Sequence, residues 1–391
     1  MTDAARPLRV AMIGHGFMGA AHAHAWHAAP RFFDLPRRIE TVAVAGRNPQ
    51  TLRESADRFG WAECDTDWRR VVERDDIDLV DVVTPGSTHA EVAVAALEAG
   101  KHVLCEKPLA NTVAEAEAMA EAAVKAAERG VFAMVGFTYR RVPAVSLARE
   151  MIESGAIGTI RQTRAVYLQD WLSDENAPLT WRLDRASAGS GALGDIGAHI
   201  VDAIQYVTGQ EVTGVSGLTH TFVTERPVLT ESVGLSGRAS DSRRGPVTVD
   251  DAAVFLGALS GGALATFEAT RMATGRKNAL RFEISGTTGS LAFDLEDLNT
   301  LQHYRADDGP TAGFRRILVT EPEHPYVAAW WPPGHLLGYE HGFTHQVRDL
   351  VTAIDAGEQP RPSFDEGLQV QRVLEAVGHS AAADARWTPL T

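Results

Sequence analysis

Cysteine is scarce in this chain. Cys64 and Cys105 are the only two among 391 residues, too few for a disulfide framework and without the spacing of a metal site, so a reducing compartment and no metal are expected. Basic residues are outnumbered, 37 Lys and Arg against 51 Asp and Glu, for a formal net charge of -14. Phosphate backbones are held by clustered Lys and Arg, so nucleic acid is not an expected partner; the nearest basic cluster is the dipeptide Arg243 and Arg244. No apolar run approaches the ~20 residues that cross a bilayer, and no apolar signal core precedes the first strand. The expectation is a cytoplasmic protein with no membrane partner. Internal repeats and low-complexity linkers are also missing. Hydrophobic content of 45% and charged content of 23% are ordinary globular values, and the length exceeds what one core organises, so two domains are expected.

What the chain does have is a strand that empties into glycine. Leu8 to Gly19, LRVAMIGHGFMG, runs apolar into Gly14, Gly16 and Gly19. In a G-x-G-x-x-G turn the first glycine permits the sharp bend, the second lets backbone approach a pyrophosphate, and the third lets the helix pack close to the strand. The helix N-terminus then offers free N–H groups to the phosphates. Such spacing also occurs in turns that bind nothing, but the flanking strand and helix favour a dinucleotide, with Gly14, Gly16, Phe17, Met18 and Gly19 as its contacts. Ala20 to Ala29 reads as the following helix, ended by Pro30. His22, His24 and His27 sit on it at spacings that do not share a face, which favours structural or nicotinamide-side roles over a metal.

The next strand, Glu40 to Ala45, stops at Gly46 and Arg47, where a Rossmann domain places an acid on the ribose 2′-hydroxyl of NAD. Gly46 removes the group that repels a 2′-phosphate and Arg47 can pair with one, which leans the expected cofactor from NAD toward NADP. Arg47 can equally stack on adenine or face solvent. Thr51 to Phe59 reads as a helix and Asp78 to Val83 as a parallel strand ending at Thr84 and Pro85. Ser87 or Thr88 is the expected cap of a helix from Ala90 to Ala99, with His89 in its first turn beside the cofactor. Lys101 to Cys105 then delivers Glu106, Lys107 and Pro108 to the carboxyl edge of the sheet, where ligands lie in doubly wound folds. A surface ion pair before a helix-starting proline is the bland reading; position in the strand order favours chemistry. The helix Val113 to Arg129 and the strand Val131 to Gly136 close a first domain, residues 1–136, leaving 137–391 for a second.

These residues resemble the Gfo/Idh/MocA oxidoreductases. The likeness lies in the glycine turn at Gly14 to Gly19, T-P-x-x-x-H at Thr84 to His89, E-K-P at Glu106 to Pro108, and G-D-x-G-x-H at Gly194 to His199. It continues through FTYRRVP at Phe137 to Pro143, MIESGAIGTI at Met151 to Ile160 and GTTGSLAF at Gly286 to Phe293, so it covers nearly the whole chain. Within the family, GHGFMG and the pair Phe32 and Phe33 are similar to sugar dehydrogenases of the levoglucosan type, while Gly46 and Arg47 depart from the acid that NAD-using members usually carry. The resemblance implies oxidation of a secondary hydroxyl of a sugar, sugar derivative or cyclitol, with Lys107, Asp195 and His199 as catalytic residues. It also implies that Glu106 and Lys107 lie at the cofactor, that Tyr139 and Arg140 lie at the substrate, and that an open sheet face mediates a homodimer or homotetramer. Family members differ on whether lysine or histidine takes the proton. The fold also hosts glycosidases that use NAD transiently and sensors that do not turn over; retention of all three residues argues against the sensor.

Thr159 to Leu168 opens a second sheet, and the long loop from Gln169 to Gly191 carries Gln169, Trp171, Trp181 and Arg182 as candidate walls for a polyhydroxylated ring, or as filling for a domain interface. Ala192 to Val207 reads as one helix on which Asp195, His199 and Asp202 share a face. A histidine with carboxylates one turn to either side is a tuned base, since both raise its pKa and orient its ring. In the expected chemistry His199 withdraws the hydroxyl proton, Lys107 steadies the developing alkoxide, and Asp195 positions the ring. Hairpins at Val247 to Met272 and Leu280 to Asp294 imply an antiparallel sheet, so the class is an α/β N-terminal Rossmann domain plus an α+β C-terminal domain. Pro322 to Leu337, with Trp330 and Trp331, reads as a lid or subunit contact; Gly342 to Ala356 reads as a surface helix, and Phe364 to Ala383 as a last helix.

Overall fold

The computed structural model describes residues 6–233 and 236–390. The chain divides into two compact units, one of residues Met1–Thr138 and Tyr339–Leu368, the other of Tyr139–Gly338 and Gln369–Thr391. The sequence reading assigned all of 137–391 to the second domain, so the stretch 339–368 groups differently.

Six strands form the sheet of the first unit: β1 Leu8–Ile13, β2 Ile39–Ala45, β3 Glu63–Asp65, β4 Leu79–Val82, β5 His102–Cys105 and β6 Ala133–Val135. All pair in parallel, in the order β3-β2-β1-β4-β5-β6. Such strands are covered on both faces and read as near-continuous apolar runs, which LRVAMI and LVDV are apart from Arg9 and Asp81. The strand order reverses between β1 and β4, and their carboxyl ends, Ile13 and Val82, lie side by side. That reversal opens the crevice where ligands bind in open α/β sheets.

The helix after β1 runs Phe17–Phe32, three residues beyond the expected stop. Pro30 lies inside it, because near a helix end its missing N–H forfeits one bond while Phe33 N–H still reaches Ala29 O at 3.0 Å. The helix Tyr339–Ala356 is not a surface helix. Phe343, Val347, Leu350, Val351 and Ile354 recur at helical spacing and join Leu8, Val10, Met12 and Trp26 in one core. Its polar residues Thr344, His345 and Gln346 are buried as well, with Gln346 Oε1 accepting from the Thr138 hydroxyl at 2.9 Å.

The second unit holds β7 Ile160–Leu168, β8 Val212–His220, β9 Glu225–Val233, β10 Ser236–Pro246, β11 Ala252–Leu259, β12 Leu264–Thr270, β13 Ala279–Gly286, β14 Gly289–Asp294, β15 Thr300–Arg305, β16 Arg315–Leu318 and β17 Thr388–Pro389. Nine of these form a sheet in the order β16-β15-β14-β13-β7-β12-β11-β8-β17, antiparallel except for β12 with β7. The β9–β10 hairpin is separate, and its polar sequence offered no alternation to read. On β11 the buried Ala253 and Phe255 alternate with the exposed Val254 and Leu256, so one sheet face is covered and the other open.

The expected single helix from Ala192 begins instead with a π-helical turn, Leu193–Gly197, and becomes α-helical over Ala198–Thr208. Its N-terminus is held by Asp250, whose carboxylate accepts from Gly191 N at 2.7 Å and Leu193 N at 2.8 Å. A Cβ on Gly191 would lie 1.7 Å from Asp250 O, so only glycine allows this approach. Phe343 is 2% exposed in the first core. Phe343→Ala should cost about 3 to 5 kcal/mol of stability, and a denaturant midpoint close to wild type would show that the helix packs elsewhere.

Candidate active site

The glycine turn has the geometry that a phosphate cradle requires. Gly14 has φ of +110°, and a Cβ there would meet Val83 O at 2.9 Å. A Cβ on Gly19 would meet Gly14 O at 3.0 Å, so the helix presses directly on the turn, whereas Gly16 faces open space. Backbone at Gly16 is therefore approachable at a helix N-terminus, which fits a pyrophosphate. Phe17 is half exposed on the first helical turn, and Met18 packs against the core.

Gly46 has a packing reason for lacking a side chain. A Cβ there would lie 2.2 Å from His15 Nδ1, and His15 Nε2 is 3.0 Å from Thr51 Oγ1. Burial lowers the pKa of His15, which keeps the ring neutral. Arg47 is exposed just before Asn48, the side-chain cap of the helix Pro49–Phe59.

At the end of β4, Thr84 Oγ1 accepts from Thr88 Oγ1 at 2.7 Å, and Thr88 makes no side-chain cap to the helix His89–Glu98. His89 is buried, not set in an open groove. Its Nε2 lies 2.8 Å from Thr84 O and its Nδ1 3.0 Å from Pro108 O, so it ties the Thr84–Pro85 turn to the Lys107–Pro108 turn. Burial lowers its pKa despite these carbonyls. Glu106 is buried too, which removes the surface ion-pair reading: Oε1 lies 3.0 Å from His22 Nε2 and Oε2 accepts from Lys107 N at 3.1 Å. His22 Nδ1 reaches Asp81 at 2.9 Å, and Trp26 Nε1 donates to Asp81 at 2.7 Å. Burial alone would depress the imidazolium, but Asp81 and then Glu106 push the His22 pKa up to about 10. Lys107 is half-buried on this turn.

In the second unit the His199 ring is flanked by Tyr139, with centroids 4.6 Å apart, and by Tyr167 at 5.8 Å. Two runs of hydrogen bonds meet at Asn278. The Trp171 indole, which can only donate, bonds Gln169 Oε1 at 2.9 Å; Gln169 Nε2 therefore faces Asn278 Oδ1 at 2.8 Å, and Tyr167 OH donates to that same oxygen at 2.7 Å. Tyr139 OH, 2.8 Å away, is left to donate to Tyr167. Trp171 and Gln169 are thus tied into the His199 surroundings.

Asp202 is buried in an ion pair with Arg140, whose Nη2 and Nε donate to it at 2.6 and 3.0 Å. Asp195 instead faces Arg271, whose Nη1 is 3.5 Å from Oδ2 and whose side chain is fully buried. Arg182 lies over the Trp181 ring at 4.4 Å; burial lowers its pKa, partly offset by Asp195 and reinforced by Arg271. Arg271, Asp250, Asn278 and Asp81 went unread in the sequence. Asp81 carried a signal, since a carboxylate inside an apolar parallel strand must find partners. Among the described residues no cluster of His, Cys, Asp and Glu suits a metal ion.

Residues 8–137 match an oxidoreductase family with an NAD-binding Rossmann fold, and residues 145–292 match the GFO/IDH/MocA C-terminal domain. The chain belongs to the Gfo/Idh/MocA oxidoreductases. Levoglucosan dehydrogenase of Pseudarthrobacter phenanthrenivorans is 43% identical to it over 383 residues, 97% of each chain. Among solved structures, an oxidoreductase domain protein from Kribbella flavida is 62% identical with a TM-score of 0.94, covering 98% of this chain and 99% of that one. Levoglucosan dehydrogenase in complex with NADH and levoglucosan is 42% identical with a TM-score of 0.91, covering 98% and 100%. This oxidoreductase is a dehydrogenase whose first unit is an NAD-binding Rossmann domain.

Asp202→Asn should cost about 3 to 5 kcal/mol by removing the carboxylate charge that faces the buried Arg140 guanidinium, read as a lower urea midpoint; an unchanged midpoint would show that the pair is dispensable. The raised pKa of His22 means that its contribution to stability is complete below its ordinary value of 6.5 and is lost as pH rises through about 10. The wild-type melting temperature should fall across that alkaline range by more than that of His22→Gln, and parallel falls would show that the ring is neutral.

Proposed function

We propose that this dehydrogenase oxidises a secondary hydroxyl of a sugar, sugar derivative or cyclitol. The observation that carries the reading is His199 in contact with two tyrosine rings that also touch each other, with Asp195 one turn away on the same helix and paired to a buried arginine. His199 withdraws the hydroxyl proton, and Asp195, facing Arg271, accepts hydrogen bonds from neighbouring hydroxyls. Lys107 Nζ stabilises the oxygen as negative charge builds on it. Bound nicotinamide supplies the hydride acceptor. The similarity to levoglucosan dehydrogenase supports an anhydrosugar or a related polyol as substrate. Absorbance at the reduced-nicotinamide band, followed with a panel of anhydrosugars, sugars and inositols and each cofactor, tests the reading; no turnover with any member would overturn it.

Lys107→Ala should lower kcat by ~10² or more with cofactor affinity within a few-fold. Full activity in that variant would remove the lysine from the chemistry. In wild type, kcat/KM should fall at low pH as His199 protonates, and His199→Asn should abolish that limb together with most of the rate. A limb that survives in His199→Asn would reassign the base.

Use of NADP is supported by the exposed Arg47 at the ribose-selector position, whose guanidinium can pair with a 2′-phosphate. Gly46 no longer adds to that argument, since His15 accounts for it. Arg47→Ala should raise KM for NADP and leave KM for NAD nearly unchanged; a tenfold wild-type preference for NAD would overturn NADP use. A homodimer or homotetramer is supported by the open sheet face, where Leu218, Val254, Leu256 and Leu264 are more than half exposed and Leu218 pairs with Val254 across the strands. Leu256→Glu should shift the wild-type mass in light scattering toward a monomer, and a monomeric wild type would overturn the assembly. Two cysteines without a disulfide support a cytoplasmic location.

A further inference from the structure

We propose that His22 is a positioning residue for hydride transfer, which clamps Glu106 so that the Lys107 backbone is held in place. The proposal rests on the reading of Lys107 given above. It begins with Asp81, the one charged residue of β4 and fully buried. A carboxylate there needs donors, and the helix Phe17–Phe32 supplies two from one face: His22 Nδ1 at 2.9 Å and, four residues on, Trp26 Nε1 at 2.7 Å. The other ring nitrogen, Nε2, faces Glu106 Oε1 at 3.0 Å. Both imidazole nitrogens thus meet carboxylate oxygens, and only the imidazolium donates to both. Glu106 in turn accepts the Lys107 N–H on Oε2 at 3.1 Å. The route from β4 to the lysine is continuous: Asp81, His22, Glu106, Lys107 backbone.

The groups around the clamp fit this protonation. The Cys105 thiol beside the two carboxylates is pushed up by burial, and burial lowers the pKa of His89. Phe343 packs against the His22 ring with centroids 5.5 Å apart. Gly136 completes the arrangement, because a Cβ there would lie 2.7 Å from Glu106 Oε1. The inward Glu106 carboxylate therefore needs glycine on the strand exit opposite. A buried ionic set of this kind is not required for stability, since apolar side chains of similar volume do as well. It does fix direction and register at the residue before the lysine, where a misplacement of about 1 Å costs as much as ~10² in rate.

The test combines His22→Gln with Lys107→Ala and uses the best substrate of the panel above. A glutamine carries both its donors on one nitrogen and cannot bridge Asp81 to Glu106 as the two ring nitrogens do, so Glu106 is released. His22→Gln should lower kcat about tenfold or more, with KM for the cofactor within a few-fold, and should cost nothing further in the Lys107→Ala background. Gly136→Ala, which displaces Glu106 without touching His22, should lower kcat in the same way and serves where His22→Gln fails to fold. Independently of activity, NMR of the cofactor-free protein should show both His22 ring nitrogens protonated at neutral pH and faster hydrogen exchange at the Lys107 amide in Gly136→Ala. Equal losses from His22→Gln in both backgrounds, or unchanged exchange at Lys107, would overturn the inference while leaving the role of Lys107 intact. Full activity in Lys107→Ala would overturn both.

Discussion

The first unit depends on two parallel strands, β1 and β4, that end side by side with only glycine backbone beyond the first of them. Gly14 turns at positive φ against the Val83 carbonyl, and Gly19 brings the next helix down onto Gly14 itself. A side chain at either position would push the helix off the sheet and close the crevice that the reversal of strand order opens. Because the helix is held that close, its inner face meets β4 directly. His22 and Trp26 then lie within hydrogen-bond reach of Asp81, and the same histidine reaches the residue before Lys107. One close approach of backbone thus sets both the phosphate cradle and the support of the lysine.

The second unit solves a different problem, the start of a helix that bears Asp195 and His199. Asp250 takes the orphan N–H groups of Gly191 and Leu193, which otherwise would need solvent or a ligand. The π-helical turn that follows widens the spacing at Asp195 before the helix tightens at Ala198. Asp195 is then directed to Arg271, while Asp202 is drawn into the core by Arg140. The two carboxylates that flank His199 in sequence have different fates in space. The imidazole is in ring contact with Tyr139 and Tyr167, and the donor-only indole of Trp171 orients the hydroxyls through Gln169 and Asn278.

Local patterns carried much of the fold. The strand, glycine turn and helix at Leu8 to Gly19, the parallel strands of the first sheet other than β3 and the hairpins around Gly261 and Thr287 were legible because their signals lie within a few residues of one another. The helix Tyr339–Ala356 was misread as a surface element, since its His, Thr and Gln residues suggest solvent until Thr138 and the first core are brought to them. Candidate site residues were legible as residue types at strand and helix ends, but their partners were not. Arg140 and Asp202 are separated by 62 positions, and His22 and Glu106 by 84.

By itself the sequence determined the architecture and the chemical inventory: a glycine cradle after the first strand, a lysine after the fifth, and an aspartate and histidine one turn apart on a helix. Hydrophobic periodicity and turn chemistry are local properties, so they survive in a string of letters. Tertiary structure alone decided which charges are paired and which way the polar chains run. His15 lies over Gly46, Asp202 is drawn into the core by Arg140, and Glu106 turns inward because His22 and Gly136 admit it there. Each of those outcomes rests on a buried charge or a contact at van der Waals distance between segments remote in the chain, and such energies depend on geometry that only the folded molecule has.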